Sequence, residues 1–192
     1  MNIVVQKFGG TSVGDIEKIK NVSKKVEKEL RLGNKVVVVV SAMSGITNKL
    51  VDYTKELSLL DNQNSLAEYD SIIASGEQVT SGLLALKMQS KGYKSRSFLG
   101  WQVPIEAEGS KAKGKIKEIG NLRKHLDEYD VVVVAGFQAV DLAENRIMTL
   151  GRGGSDTSAV AIAAAVQAER CDIYTDVEGV YTTDPRITDK AR

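Results

Sequence analysis

One cysteine, Cys171, and one histidine, His125, are all that the 192 residues contain of either type. A lone cysteine rules out an internal disulfide, and its place at the edge of a strand-like run reads as a packed thiol in a reducing compartment. The lone histidine sits among charged residues, so neither a Ser/His/Asp arrangement nor a Cys/His metal cluster assembles, and no protein-built metal site is expected. No apolar stretch approaches the roughly 18–20 residues that cross a bilayer. Met1 leads straight into a strand-like run, so no signal peptide is expected and the expected location is cytoplasmic. Charge of one sign is also scarce: 26 Lys and Arg stand against 25 Asp and Glu, a net charge of +1. That balance excludes a general role on nucleic acid or a membrane surface. Two nucleotide fingerprints are missing as well. There is no G-x-x-x-x-G-K-[ST], and Gly151-Arg152-Gly153 meets Asp156 where a G-x-G-x-x-G motif needs its third glycine.

Valine is what the chain has in runs, and glycine follows them. Residues 2–6 read as a buried strand ending in Lys7-Phe8-Gly9-Gly10-Thr11-Ser12. Ile16, Ile19, Val22, Val26 and Leu30 then mark one face of a helix, capped by Ser12 or Asp15 and stopped at Gly33-Asn34. Residues 35–40 are a lysine and five valines, apolar on both faces and hence an interior parallel strand. The small-residue loop Ser41-Ala42-Met43-Ser44-Gly45-Ile46-Thr47-Asn48 leads into a helix reaching about Leu60. A helical stretch from Leu66 reaches Ser75-Gly76-Glu77-Gln78, and another runs from about Val79 to Ser90. Residues 94–99 are a weaker strand, and 101–114 are the least regular part, a β-hairpin or a flap over a site. Ile116, Ile119, Leu122 and Leu126 predict a further helical face. A second valine run spans 130–135 and ends in Gly136-Phe137-Gln138; 145–150 is a short strand. The helix from Asp156 to about Glu169 is apolar on nearly every side, which predicts burial, and 171–175 is a last strand.

Strands alternating with helices around valine-rich interior strands predict a three-layer α/β/α sandwich on a mostly parallel sheet. Ligands of such sheets collect beyond the carboxyl ends of the strands. Lys7-Gly9-Gly10, Ser41, Gly136, residues 151–155 and Thr175-Asp176 all follow strands, so all five are expected along one edge. Thr149-Leu150-Gly151-Arg152-Gly153-Gly154-Ser155-Asp156 is the most distinctive stretch. Glycines permit close backbone approach, a helix start favours anions, and a guanidinium holds carboxylate or phosphate in a fork. The same stretch reads equally as a plain glycine-rich connection. Arg152 with Glu77 suits a zwitterion, one for the carboxylate and one for the ammonium group, although Glu77 alone reads equally as a solvated helix residue. Asp156 and Asp176 are acids expected near Lys7, although a cap or a turn would also account for them.

In order, Lys7-Phe8-Gly9-Gly10-Thr11-Ser12, Ser41-Ala42-Met43, Ser75-Gly76-Glu77, Ala135-Gly136-Phe137-Gln138, 149–159 and Tyr174-Thr175-Asp176 through Asp184-Pro185-Arg186 resemble the catalytic domain of bacterial aspartokinases, in the amino acid kinase family. The resemblance spans almost the whole chain. It implies transfer of the ATP γ-phosphoryl group to the β-carboxylate of L-aspartate, with Mg²⁺, at the head of lysine, threonine and methionine biosynthesis. It implies that Lys7 neutralises the moving phosphoryl group and that Asp156 orients Lys7 or helps place the metal. Phe8, Gly9, Gly10 and Ser41 would join Lys7 at the phosphates. Thr175, Asp176, Tyr181, Thr182, Thr183, Asp184, Pro185 and Arg186 would line the nucleotide site. Thr47, Glu77, Arg152, Gly153, Gly154 and Ser155 would hold aspartate. Family members continue beyond the point matching Arg192 with more kinase domain and regulatory ACT domains, and are homo-oligomers at full length. Residues 1–192 are therefore expected to be an incomplete amino acid kinase domain. Another carboxylate kinase of the same fold, or a binding fragment without turnover, are the alternative expectations.

Overall fold

In the computed structural model, which describes residues 2–151 and 153–175, the valine runs pair with one another. The first half of the chain comprises β1 (Ile3–Phe8), α1 (Ile16–Arg31), β2 (Lys35–Val40), α2 (Ile46–Leu57), α3 (Gln63–Ile73) and α4 (Ser75–Gln89). Next come β3 (Ser95–Phe98), β4 (Ile105–Glu108), β5 (Lys115–Ile119), α5 (His125–Glu128), β6 (Val131–Ala135) and β7 (Gln138–Asp141). The last three described are β8 (Arg146–Thr149), α6 (Gly154–Val166) and β9 (Arg170–Tyr174). Five strands form a parallel sheet in the order β3-β6-β2-β1-β9.

Register explains why these strands tolerate valine at every position. Val37 pairs with Val5 and Val132, and Val39 with Lys7 and Val134, so one face carries alternate residues of all three strands. That face packs on α6 and on a second, four-stranded sheet ordered β5-β4-β7-β8. Val36, Val38, Val40, Val131 and Val133 point the other way, onto α1 and α4 through Ile19, Val22, Val26, Leu84 and Met88. Both faces are dry, which is the condition for a parallel interior sheet. The expected three layers are present, with the small sheet sharing the third layer with α6.

Three local expectations need correction. The helical face through Ile116 and Ile119 is a strand, β5, and only His125–Glu128 is helical. A bulge explains the misleading spacing: Ala107 pairs with Ile116 but Glu106 with Glu118, so one extra residue returns Ile116 and Ile119 to the same side, against the core. Residues 101–114 accordingly contribute to a hairpin, β4 antiparallel to β5. The break expected near Val79 is absent; α4 starts at Ser75, which places Glu77 in its first turn. Helix α6 is not wholly buried either. Ser155, Ser158, Ala159, Ile162 and Val166 face the core, whereas Val160 is 55% exposed.

Candidate active site

Alternation along β1 aims Lys7 at the α6 face of the sheet, with Ile3 and Val5. The lysine is buried, and its Nζ lies 2.7 Å from Asp156 Oδ1 in the first turn of α6. Asp156 is not the helix cap. Gly153 holds that position in the left-handed region at φ 76°, with no side-chain cap bond, so the carboxylate serves Lys7 instead. The same turn brings Ser155 to Ser41: Ser41 Oγ donates to Ser155 Oγ at 3.0 Å, and the Ser41 N–H donates to the Phe8 carbonyl at 3.1 Å.

Glu77 reaches this region from the opposite layer. It is 3% exposed, its Oε1 accepts the Ala42 N–H at 3.0 Å, and its buried Oε2 has no hydrogen-bond partner among the described residues. Burial pushes its pKa up to about 7, against the opposing pull of the Ala42 N–H and its own backbone N–H. Such a carboxylate, half satisfied and facing a cavity, has an oxygen able to accept from a cation with N–H donors.

Glycine is required where these loops meet. A Cβ on Gly10 would lie 2.8 Å from the Ala42 carbonyl oxygen, and one on Gly76 would lie 2.6 Å from Ala42 Cβ. The Ser44 N–H donates to the Gly10 carbonyl at 3.2 Å, closing the contact. Around these groups lies a cavity of about 320 Å³ lined by Lys7, Gly10, Ser41, Thr47, Glu77, Gly153, Gly154, Ser155 and Asp156. Of the loops expected along one edge, those after β1, β2, β6 and β8 do contribute to it, the third through Phe137.

Other expected residues lie elsewhere. The Phe8 ring is buried in the α1 layer, stacked on Tyr174 at 4.5 Å. Phe8 and Thr175 share a separate depression of about 250 Å³ with Ser12, Lys18 and Lys25 of the α1 side. The Gly9 N–H, expected to face phosphate, donates to the Tyr174 carbonyl at 3.3 Å. Arg152, Asp176, Tyr181, Thr182, Thr183, Asp184, Pro185 and Arg186 lie outside the described residues. Ala42 and Phe137 line the cavity although their motifs gave them no role; each stands two residues past a valine strand, which was the available signal. Phe137 adopts φ 65°, uncommon for a residue with a side chain, and a Cβ on Gly154 would lie 2.8 Å from its ring. Among the described residues no group of three or more His, Cys, Asp or Glu is placed to hold a metal ion.

The chain is 52% identical over its whole length to an aspartokinase of Geobacillus stearothermophilus and 49% identical to one of Rickettsia conorii. It spans about half the length of these relatives, 47% and 48%. The aspartokinase III of E. coli, solved with aspartate and ADP, superposes with a TM-score of 0.82 at 27% identity over 99% of this chain and 53% of that one. The aspartate kinase of Synechocystis gives 0.76 at 44% identity, over 98% of this chain and 31% of that one. Isopentenyl phosphate kinase, at 17% identity and a TM-score of 0.69, shares the fold alone. The profile of the amino acid kinase family matches residues 2–192, and the chain belongs to that family.

Proposed function

We propose that the chain is the substrate-binding part of an aspartate kinase, moving the γ-phosphoryl group of ATP to the β-carboxylate of L-aspartate to give 4-phospho-L-aspartate and ADP. The observation that carries this reading is the buried Glu77 Oε2, without a hydrogen-bond partner among the described residues, in the same cavity as the Lys7–Asp156 pair. An amino acid brings the ammonium group that Glu77 lacks, and Lys7 offers positive charge where two anions must meet. Its support from relatives is their identity over the whole chain and, for the E. coli enzyme, a complex with aspartate and ADP.

A carboxylate is already a nucleophile, so the reaction requires no general base. The β-carboxylate oxygen attacks the γ-phosphorus, the bond to the β-phosphate oxygen breaks, and ADP leaves with that electron pair. Lys7 screens the charge of the moving group, held in place by Asp156. Glu77 and the loop at Ser155 hold the acceptor in line, with Arg152 as the partner proposed for a substrate carboxylate. One half-exposed protein carboxylate, Asp156, with no larger ligand cluster among the described residues, suits Mg²⁺ carried mainly by phosphates and water. Bound there, the ion would neutralise phosphate charge and Asp156 would help hold it. The place at the head of lysine, threonine and methionine synthesis and homo-oligomers at full length belong to the same reading and rest on the family resemblance; the cytoplasmic setting joins them as the expectation drawn from the sequence.

The test is trapping of the acyl phosphate with hydroxylamine after incubation with ATP, Mg²⁺ and L-aspartate. Hydroxamate with aspartate is expected. Hydroxamate with N-acetylglutamate and none with aspartate would reassign the acceptor, and calorimetric binding of both substrates without hydroxamate would leave a binding fragment.

A further inference from the structure

Asp70 does not line the cavity, yet it is a fully buried acid on α3. Its Oδ1 accepts the Thr149 hydroxyl at 2.5 Å, and the Ala112 N–H reaches its two oxygens at 3.1 and 2.9 Å. Thr149 ends β8, immediately before Leu150 and the glycine loop at 151–154, and its carbonyl accepts the Gly114 N–H at 2.9 Å. In the other direction α3 ends at Ile73, and one residue, Ala74, separates it from α4 and Glu77. The Ala74 carbonyl accepts from Nε2 of the fully buried Gln138, on β7. Two buried polar side chains thus tie the helix junction ahead of Glu77 to the strands ahead of the glycine loop.

Burial pushes the Asp70 pKa up; the Thr149 hydroxyl, the Ala112 and Thr149 backbone N–H groups and the Lys111 charge oppose it. Apolar side chains could fill such a place without that desolvation cost. What a satisfied polar network adds is one defined register between the elements it joins.

We propose that Asp70, acting through Thr149, is a positioning residue that fixes the glycine loop and Ser155 relative to Glu77, and so sets which amino acid fits between them. The proposal rests on the acceptor reading given above. Thr149→Val removes the hydroxyl at nearly constant shape, and Thr149→Ser keeps it. Amide hydrogen exchange of residues 149–157 in the ligand-free chain is expected to speed up about tenfold in Thr149→Val and to stay near wild type in Thr149→Ser, with α1 unchanged in both. Wild-type protection of the loop in Thr149→Val, or equal loss of protection in α1, would overturn it. Where the chain turns over aspartate, Thr149→Val should raise the KM for aspartate about tenfold and alter that for ATP by less than about twofold; equal changes in the two would also overturn it. A wild-type chain that ignores aspartate refutes the acceptor reading, and the exchange experiment still decides the positioning role of Asp70.

Discussion

Lys7 and Glu77 enter one cavity from opposite faces of the central sheet, and their charges are treated differently. Lys7, at the end of β1, meets an acid 2.7 Å away on α6, and that acid is half exposed. Glu77, in the first turn of α4, has backbone N–H groups and no cation among the described residues, so burial raises its pKa to about 7. Among the described residues one end has its counter-charge and the other has none. The difference separates a group that is kept ready to act on charge from one that recognises it.

Replacing Lys7 tests the first half and should have the largest effect. Lys7→Ala is expected to lower kcat by about a hundred- to a thousandfold while the KM for aspartate changes far less. Unchanged turnover in steady-state kinetics would refute a role for Lys7 in the chemical step. Glu77→Gln should do the converse, raising the KM for aspartate by roughly ten- to a hundredfold.

The same variant carries a stability prediction whose sign follows from linkage. A carboxyl group whose folded pKa lies near 7, above its ordinary 4.5, gives full stability below pH 4.5 and loses it as pH rises through 7. Glu77→Gln does not ionise, so it should be more stable than the parent at pH 8, by on the order of 3 kcal/mol, and no more stable at pH 4. Thermal melts at the two pH values would show this, and equal shifts at both would sink it. Asp156→Asn sharpens the contrast from the Lys7 side. It keeps the shape but loses the charge, and about a tenfold fall in kcat with little change in melting temperature is expected, because the pair is partly open to water. Gly76→Ala should have the smallest effect on chemistry and a plain effect on folding. Its new Cβ would meet Ala42 Cβ at 2.6 Å, an overpacking worth about 1–3 kcal/mol in a denaturant titration.

The two sheets were unequally legible in the sequence. Parallel interior strands announce themselves because both faces are dry, and the valine runs of β2 and β6 have no other reading. The small sheet is short, half wet and interrupted by a bulge, so Ile116 and Ile119 imitate a helix by their spacing. The site divides in the same way. Lys7, Glu77, Ser155 and Asp156 stood out as chemistry-bearing residues within motifs. Ala42 and Phe137 bear no titratable group, and only the folded backbone brings them to the cavity. Asp70 gave no local sign either, since its partners lie 42 and 79 residues away.

Ala42 has a further consequence. The Gly10 loop lies against its carbonyl, the start of α4 lies against its methyl group, and its N–H is bound by Glu77. The Gly10 loop and the start of α4 are therefore one residue apart. The carbonyl side of this spacer is backbone, and its other side is a single methyl group, the smallest side chain there is. The separation of the Gly10 loop from the start of α4 is thereby fixed near its minimum: a larger residue at position 42 would push the two apart, and only Ala42→Gly would let them approach.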